Sequence, residues 1–505
     1  MVPADDNQDI ESGAILNGST ESTPLLSASP SATSLGIAKH DAEESYVSAA
    51  KRELKWMASS ASVTIFTLMI QTSIMFVNVM SVSNLGTTEV AAMSLSVTCM
   101  MVFATAPVAG LTSAMDTFCS TAFTGSRDKT LVGFHLQRGV IAVVTHLMII
   151  APILWNAESI LLFLNQDPAV ARLSGMYMRV QIPGILPSSI FEVVRRYLQA
   201  QGIMRAGMII ACVVTPIHWI NNMFLVRSPT YGLGFIGAPI VNDISSTLLC
   251  AGITTYAYNS RAIETWGGWT RSAFHNMSAF YKLAIPSVVT TCSELIVFEL
   301  LIIGVSYFGT DQMAGQAIML NSVVIITRLS IGLGFATSPR VGNLIGASKP
   351  RQARIAMHLA LMVSGIIGIL GTLFLVIFGR WWTSVYTSNP DVALVTSRLI
   401  PVAAVFIVSD GLNAVLGAIL RGLGRQRTSM NIFIFGFYVC AVPLGWFLGY
   451  SRGMEVVGLW WGLCIGVTTS CLLHIVFLFR VLDWDEEVRR CLLRLKPNGS
   501  TTSSD

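Results

Sequence analysis

Glu294 and Glu299 lie in an apolar run from about Phe280 to Phe308, long enough to cross the roughly 30 Å hydrocarbon core of a bilayer. An ionisable side chain near the middle of such a run costs at least ~2.5–3.5 kcal/mol, which marks a functional candidate. Five residues separate the two, about 140° of net rotation on a helix, so they face different neighbours. Asp410 is a third carboxylate, in a second apolar run. A carboxylate in a low-dielectric cavity favours its proton, and an organic cation favours the ionised form. Proton and cation then compete for one group. Antiport follows if only one of them is aboard when the protein switches between states that bind each differently. Glu294 and Asp410 are the pair read in that role, against the blander reading of a protonated, hydrogen-bonded packing residue. Glu299 is read as either a third coupling carboxylate or a cap on a polar network. Arg328 is either a counter-ion to one of these acids or a residue reaching a water-filled cavity.

These groups need a membrane around them. The chain has 505 residues, 53% hydrophobic and 12% charged, with a mean hydropathy of +0.63. About a quarter of the residues in a soluble domain are charged, so this composition points to a polytopic membrane protein. The net charge of +4 gives no reason to expect nucleic acid. Cysteines such as Cys99, Cys119, Cys212, Cys292 and Cys440 are scattered without a CxxC pair, and His135, His146, His218, His275, His358 and His474 lack metal spacing. No metal, cofactor or enzymatic activity is expected.

Twelve apolar spans are expected at about 56–82, 89–112, 134–156, 170–192, 204–226, 235–258, 279–308, 312–336, 354–378, 392–418, 430–450 and 455–479. Lys and Arg concentrate in the even-numbered loops, among them Arg127, Arg195, Arg196, Arg205, Arg340, Arg351, Arg421 and Arg425, and the positive-inside rule then puts both termini in the cytosol. Residues 1–53 read as a disordered cytosolic tail, 54–258 as a first lobe and 259–278 as a cytosolic linker. Residues 279–480 read as a second lobe and 481–505 as a cytosolic tail. No apolar h-region follows the initiator Met, so no cleavable signal peptide is expected. Within the first tail, Glu21, Leu25 and Leu26 are similar to an acidic dileucine sorting signal. It would be read by an adaptor complex and direct the protein to a vacuolar or lysosomal membrane, with the plasma membrane as the alternative.

The chain also repeats itself at an offset of about 222 residues. Gly110-Leu-Thr-Ser-Ala114 falls opposite Gly332-Leu-Gly-Phe-Ala336, and Arg196-Tyr-Leu-Gln-Ala-Gln-Gly202 opposite Ala418-Ile-Leu-Arg-Gly-Leu-Gly424. Six spans per half give a parallel repeat, with a substrate site expected near the midplane between halves.

Several motifs together carry a family resemblance. They are Ala114-Met-Asp116-Thr117-Phe-Cys119 with Ala122-Phe123, then Arg196 to Gly202, then Pro286-Ser287 with Cys292-Ser-Glu294 and Phe298-Glu299. Arg340-Val-Gly-Asn343-Leu-Ile-Gly346 and Asp410 with Leu420-Arg421-Gly-Leu-Gly424-Arg-Gln426 complete the set. In this order and spacing the chain resembles the multidrug and toxic compound extrusion (MATE) transporters, in their eukaryotic, fungal-like branch. The resemblance covers about Leu54 to Arg480. It implies an all-α, V-shaped pair of six-helix bundles that exports organic solutes, cationic drugs, toxins or metabolites, in exchange for protons ahead of sodium. It also implies proton or cation sites at Glu294 and Asp410, with Glu299 close by. The N-lobe aspartate of many prokaryotic members falls on Asn78, which cannot titrate, and Arg328 stands where the family usually has an uncharged residue. Gln71, Asn78 and Arg328 are the expected substrate-cavity residues. A lipid or oligosaccharide flippase on a related two-lobe scaffold is the alternative. It would want a broad, basic midplane cavity, whereas the intramembrane charges here read as mainly acidic, Arg328 excepted.

Overall fold

A chain this apolar must satisfy its backbone groups internally when it meets hydrocarbon, and helices do so within one segment. The computed structural model describes residues 45–228, 230 and 232–495. Among these residues the secondary structure is helical throughout, without strands. Twelve long helices run in sequence. The first six are α1 Tyr46–Val82, α2 Thr87–Gly125, α3 Thr130–Trp155, α4 Pro168–Ala200, α5 Arg205–Arg227 and α6 Gly234–Tyr258. The second six are α7 Met277–Ser306, α8 Thr310–Gly346, α9 Pro350–Tyr386, α10 Pro390–Leu423, α11 Gln426–Ser451 and α12 Glu455–Val481. A shorter α13, Trp484–Leu495, follows. Eleven of the twelve are long and apolar enough to cross a membrane. The exception, α4, has 33 residues, ample at 1.5 Å per residue, but carries Arg179, Glu192, Arg195 and Arg196. The expected twelve helices in two six-helix bundles are borne out.

Local chemistry sets the ends. Asp167 caps α4 by accepting from the backbone N–H groups of Ala169 (2.9 Å) and Val170 (3.1 Å), with Pro168 at the first helical position. Asn389 and Pro390 start α10 in the same way, and Gly424 ends it in a left-handed conformation at φ 77°. The helices outrun their apolar cores. α1 begins at Tyr46, inside the stretch expected to be a tail, because Glu53 and Met57 are buried against the second half. α8 continues to Gly346, ten residues past its expected span. The C-terminal stretch contains α13, whose Trp484, Glu487 and Cys491 are buried. Glu21, Leu25 and Leu26 lie outside the described residues.

The two halves grip each other reciprocally. Phe280 and Ala284 of α7 join the core of the first six helices, while Met57 and Ala61 of α1 join a core of the second six. These pairs are 223 positions apart (57 to 280, 61 to 284), so the repeat seen in the sequence is a symmetry of the packing. A Cβ on Gly110 of α2 would strike the backbone of Val288 in α7, and one on Gly332 of α8 would strike Ile65 in α1. Further along, Gly342 abuts Ser120, and Gly346 abuts Thr121 and Thr124. Glycine permits this approach because it has no side chain. All these contacts lie in the half of the bundle that carries both described ends of the chain. The two halves are sealed there.

Candidate functional site

The seal contains a buried charged cluster. Asp116 of α2 accepts two hydrogen bonds from Nη1 of Arg196 in α4, at 2.8 and 2.7 Å, and a third from the Ser338 hydroxyl of α8 at 3.2 Å. Asp116 and Ser338 are themselves 222 positions apart, so repeat-related residues meet across the seam. Arg196 also pairs with Glu192 at 3.2 Å, and Glu192 with Arg195. Breaking a buried pair of this kind costs about 3–5 kcal/mol, against about 0–1 kcal/mol for an exposed one such as Arg489–Glu486. The Thr117 hydroxyl donates to the Arg421 carbonyl, and Gln426 donates to Thr117 at 3.0 Å. The Asn343 amide reaches the Ala200 carbonyl at 3.0 Å. On the outside of the seam lies α13. Its Glu487 pairs with Arg425, its Arg494 donates to the Leu423 carbonyl at 3.1 Å, and Leu495 packs against the cores of both halves.

Above the seal is a cavity of about 210 Å³, lined by Glu294 of α7, Asp410 and Arg421 of α10, Arg196 of α4 and His474 of α12. Glu294 and Asp410 make no hydrogen bond or ion pair with any described residue, and they are close enough to interact electrostatically. His474 is held at both nitrogens, Nδ1 2.9 Å from the Ser470 carbonyl oxygen and Nε2 3.1 Å from the Ser429 hydroxyl. Glu299 does not line this cavity. It lies about 140° round α7 from Glu294, on a different face of the helix.

A second cavity, of about 650 Å³, lies among α1, α2, α4, α6 and α8. Gln71, Asn78 and Arg328 all line it, together with Met75, Met101, Glu192 and Arg195. Phe335 and Ala109 line both cavities and form the wall between them. The guanidinium groups of Arg195 and Arg196 stack over the Phe335 ring, 4.9 and 5.6 Å from its centroid. Asn78 is the hub of an amide network. It donates to Asn242 Oδ1 at 2.8 Å and accepts from Asn222 Nδ2 at 2.9 Å. His218 Nε2 is 3.1 Å from Asn78 Oδ1, and its Nδ1 is 2.8 Å from the Ser245 hydroxyl. At this size the cavity falls within the usual range for a small-molecule site.

The MatE family model matches residues 64–224 and 286–447, two blocks set 222 positions apart at their starts, as the internal repeat requires. The chain belongs to the MATE family. A MATE relative in Arabidopsis thaliana, Protein DETOXIFICATION 15, is 30% identical over 435 residues, covering 85% of this chain and 88% of that protein. Multidrug and toxin extrusion protein 2 of Mus musculus is 30% identical, covering 81% and 71%. An uncharacterized transporter of Schizosaccharomyces pombe is 33% identical, covering 86% and 81%. Among solved structures, the eukaryotic MATE transporter AtDTX14 superposes with a TM-score of 0.82 at 23% identity, over 89% of this chain and all of that one. The Vibrio cholerae MATE transporter VcmN in its bent form gives 0.77 at 15% identity, over 89% and 100%. At these identities the structural likeness speaks for the fold alone.

Within this MATE fold, several site residues escaped the sequence reading. The distribution of Lys and Arg places Arg195, Arg196 and Arg421 in loops, yet they lie in α4 and α10, and Arg196 and Arg421 line the carboxylate cavity. The interior charges are therefore mixed, and the expectation of a mainly acidic interior is corrected. The reason is that helices at the seal extend beyond the apolar spans. Asp243 was also passed over. It is a carboxylate inside an apolar run, the same signal that marked Glu294, and its Oδ1 is buried against Gly184 of α4.

Proposed function

We propose that the protein is a secondary active antiporter that moves organic solutes with a cationic group out of the cytosol in exchange for protons. The observation that supports this reading best is that Glu294 and Asp410, from two different helices, face one cavity and make no hydrogen bond or ion pair with any described residue, although Arg421 acts on Glu294 at a distance. A carboxylate so placed needs a proton or a cation to be stable in that medium. The cavity sits directly above the seal, so its state of charge bears on Arg196 and Arg421, which belong to both. A proton arriving on the acids and a solute leaving can thus bias the same pair of arrangements, sealed or open at this face. With both termini cytosolic, as the distribution of Lys and Arg suggests, the sealed face is the cytosolic one and the described state faces outward. A vacuolar membrane is the proposed location on the strength of Glu21, Leu25 and Leu26.

The test is initial uptake of labelled tetraethylammonium into vesicles under an imposed pH gradient, normalised to protein. Glu294→Gln and Asp410→Asn keep shape but fix each site in a neutral state, and each should lower the rate by about tenfold or more. Glu294→Asp, with the charge on a shorter arm, should keep partial activity with a displaced pH profile, and Glu299→Gln should be the mildest. Wild-type rates in both neutral variants would refute the mechanism.

A further inference from the structure

We propose that Arg328 is a substrate-binding residue, and that the transported solute carries an anionic group, a carboxylate in the simplest case, in addition to its cationic one. Arg328 is the middle residue of α8 and lies well inside its apolar stretch. An arginine at that depth is costly unless something answers it. No direct partner does so among the described residues. No described carboxylate forms an ion pair with it and no hydrogen bond engages its guanidinium, which opens into the cavity of about 650 Å³. Glu294 influences it only at a distance, from the other side of the Phe335 wall. The acid that does line the same cavity, Glu192, is already engaged by Arg195 and Arg196. The large cavity therefore holds one positive charge with no direct carboxylate partner among the described residues.

That arrangement selects by chemistry. A simple organic cation entering the cavity meets repulsion with no compensating acid there. A solute with a carboxylate gains a charge-assisted, potentially bidentate pair with the guanidinium fork. The aliphatic and thioether walls at Ile74, Met75, Met100 and Met101 suit the body of such a molecule. Its cationic end is left to the Glu294 side of Phe335, where it competes with the proton. The inference rests on the antiport reading and adds the amphoteric character of the substrate.

The experiment uses two labelled probes that differ in one group, N-methylpyridinium-3-carboxylate and its carboxamide, with the full-length protein in proteoliposomes under a pH gradient. Wild type should take up the carboxylate at a kcat/KM about tenfold above the amide, the size expected for one charge-assisted pair. Arg328→Gln should remove that preference from both sides, lowering uptake of the carboxylate and raising proton-driven uptake of the amide, whose cation no longer meets the guanidinium. Arg328→Lys should restore part of it, keeping the charge without the fork. An equal preference in wild type and Arg328→Gln, or a wild-type preference for the amide, overturns the assignment. Uptake of the amide that ignores the pH gradient in every variant would instead count against the antiport reading.

Discussion

Asn78 carries one side chain that is bonded to two helices besides its own, through Asn222 of α5 and Asn242 of α6. An amide has no proton to exchange in the working range, so this hub can shape a cavity but cannot couple it to protons. Asn78→Ala should leave pH-gradient-driven transport in place. It should also raise KM and lower the melting temperature, since a buried polar group left without its partner, here Asn242 Oδ1, costs about 1–3 kcal/mol. Loss of pH-driven transport in a folded Asn78→Ala protein would move the coupling back into the first half. The sequence made Asn78, Gln71 and Arg328 legible as polar exceptions in apolar runs, and the structure brings all three to one cavity. It did not make His218 legible as their neighbour. Only Asn222, one turn further along the same helix, is near it in the chain, and its other partners, Asn78 and Ser245, are far from it.

Helices α2 and α8 meet at the seal through glycine. Gly342 leaves no room between its Cα and Ser120, so the contact is a steric fit with no slack. Gly342→Ala should act as a wedge and shift the protein away from the sealed arrangement. Cys491 reports on this, because it is buried on α13 beside Thr121 of α2. In a background lacking the other cysteines, its modification by a maleimide should be slow in the parent and faster by about tenfold in Gly342→Ala, the effect of a shift of 1.4 kcal/mol. Unchanged labelling would mean that the neighbouring contacts absorb the methyl group. Helix existence was readable from apolar length, and the repeat from paired glycines. The lengths of α1 and α8 at the seal were not, because polar residues such as Glu53, Ser338, Arg340 and Asn343 interrupt the apolar pattern there and are engaged across the seam by the other half. Their signal is tertiary: Glu53 meets Arg340, 287 positions away.

On the scale of the whole molecule, the two bundles are tied by α1 and α7, each leaning into the other's core, and by α13 laid over the seam. The last of these ties comes from the final dozen described residues. A chain is made from its N-terminus, and its early parts can fold before later ones exist. Both bundles can therefore be in the membrane and packed while the Glu487–Arg425 and Arg494–Leu423 contacts are still unmade. Ending the chain after Asp483 should yield inserted protein at near parental levels but with a lower melting temperature, measured in detergent. Equal melting temperatures would show that α13 adds nothing to the seal. Closure of this face is thus a late event in biogenesis, and a newly made molecule passes through a stage in which its two halves are complete but not yet locked.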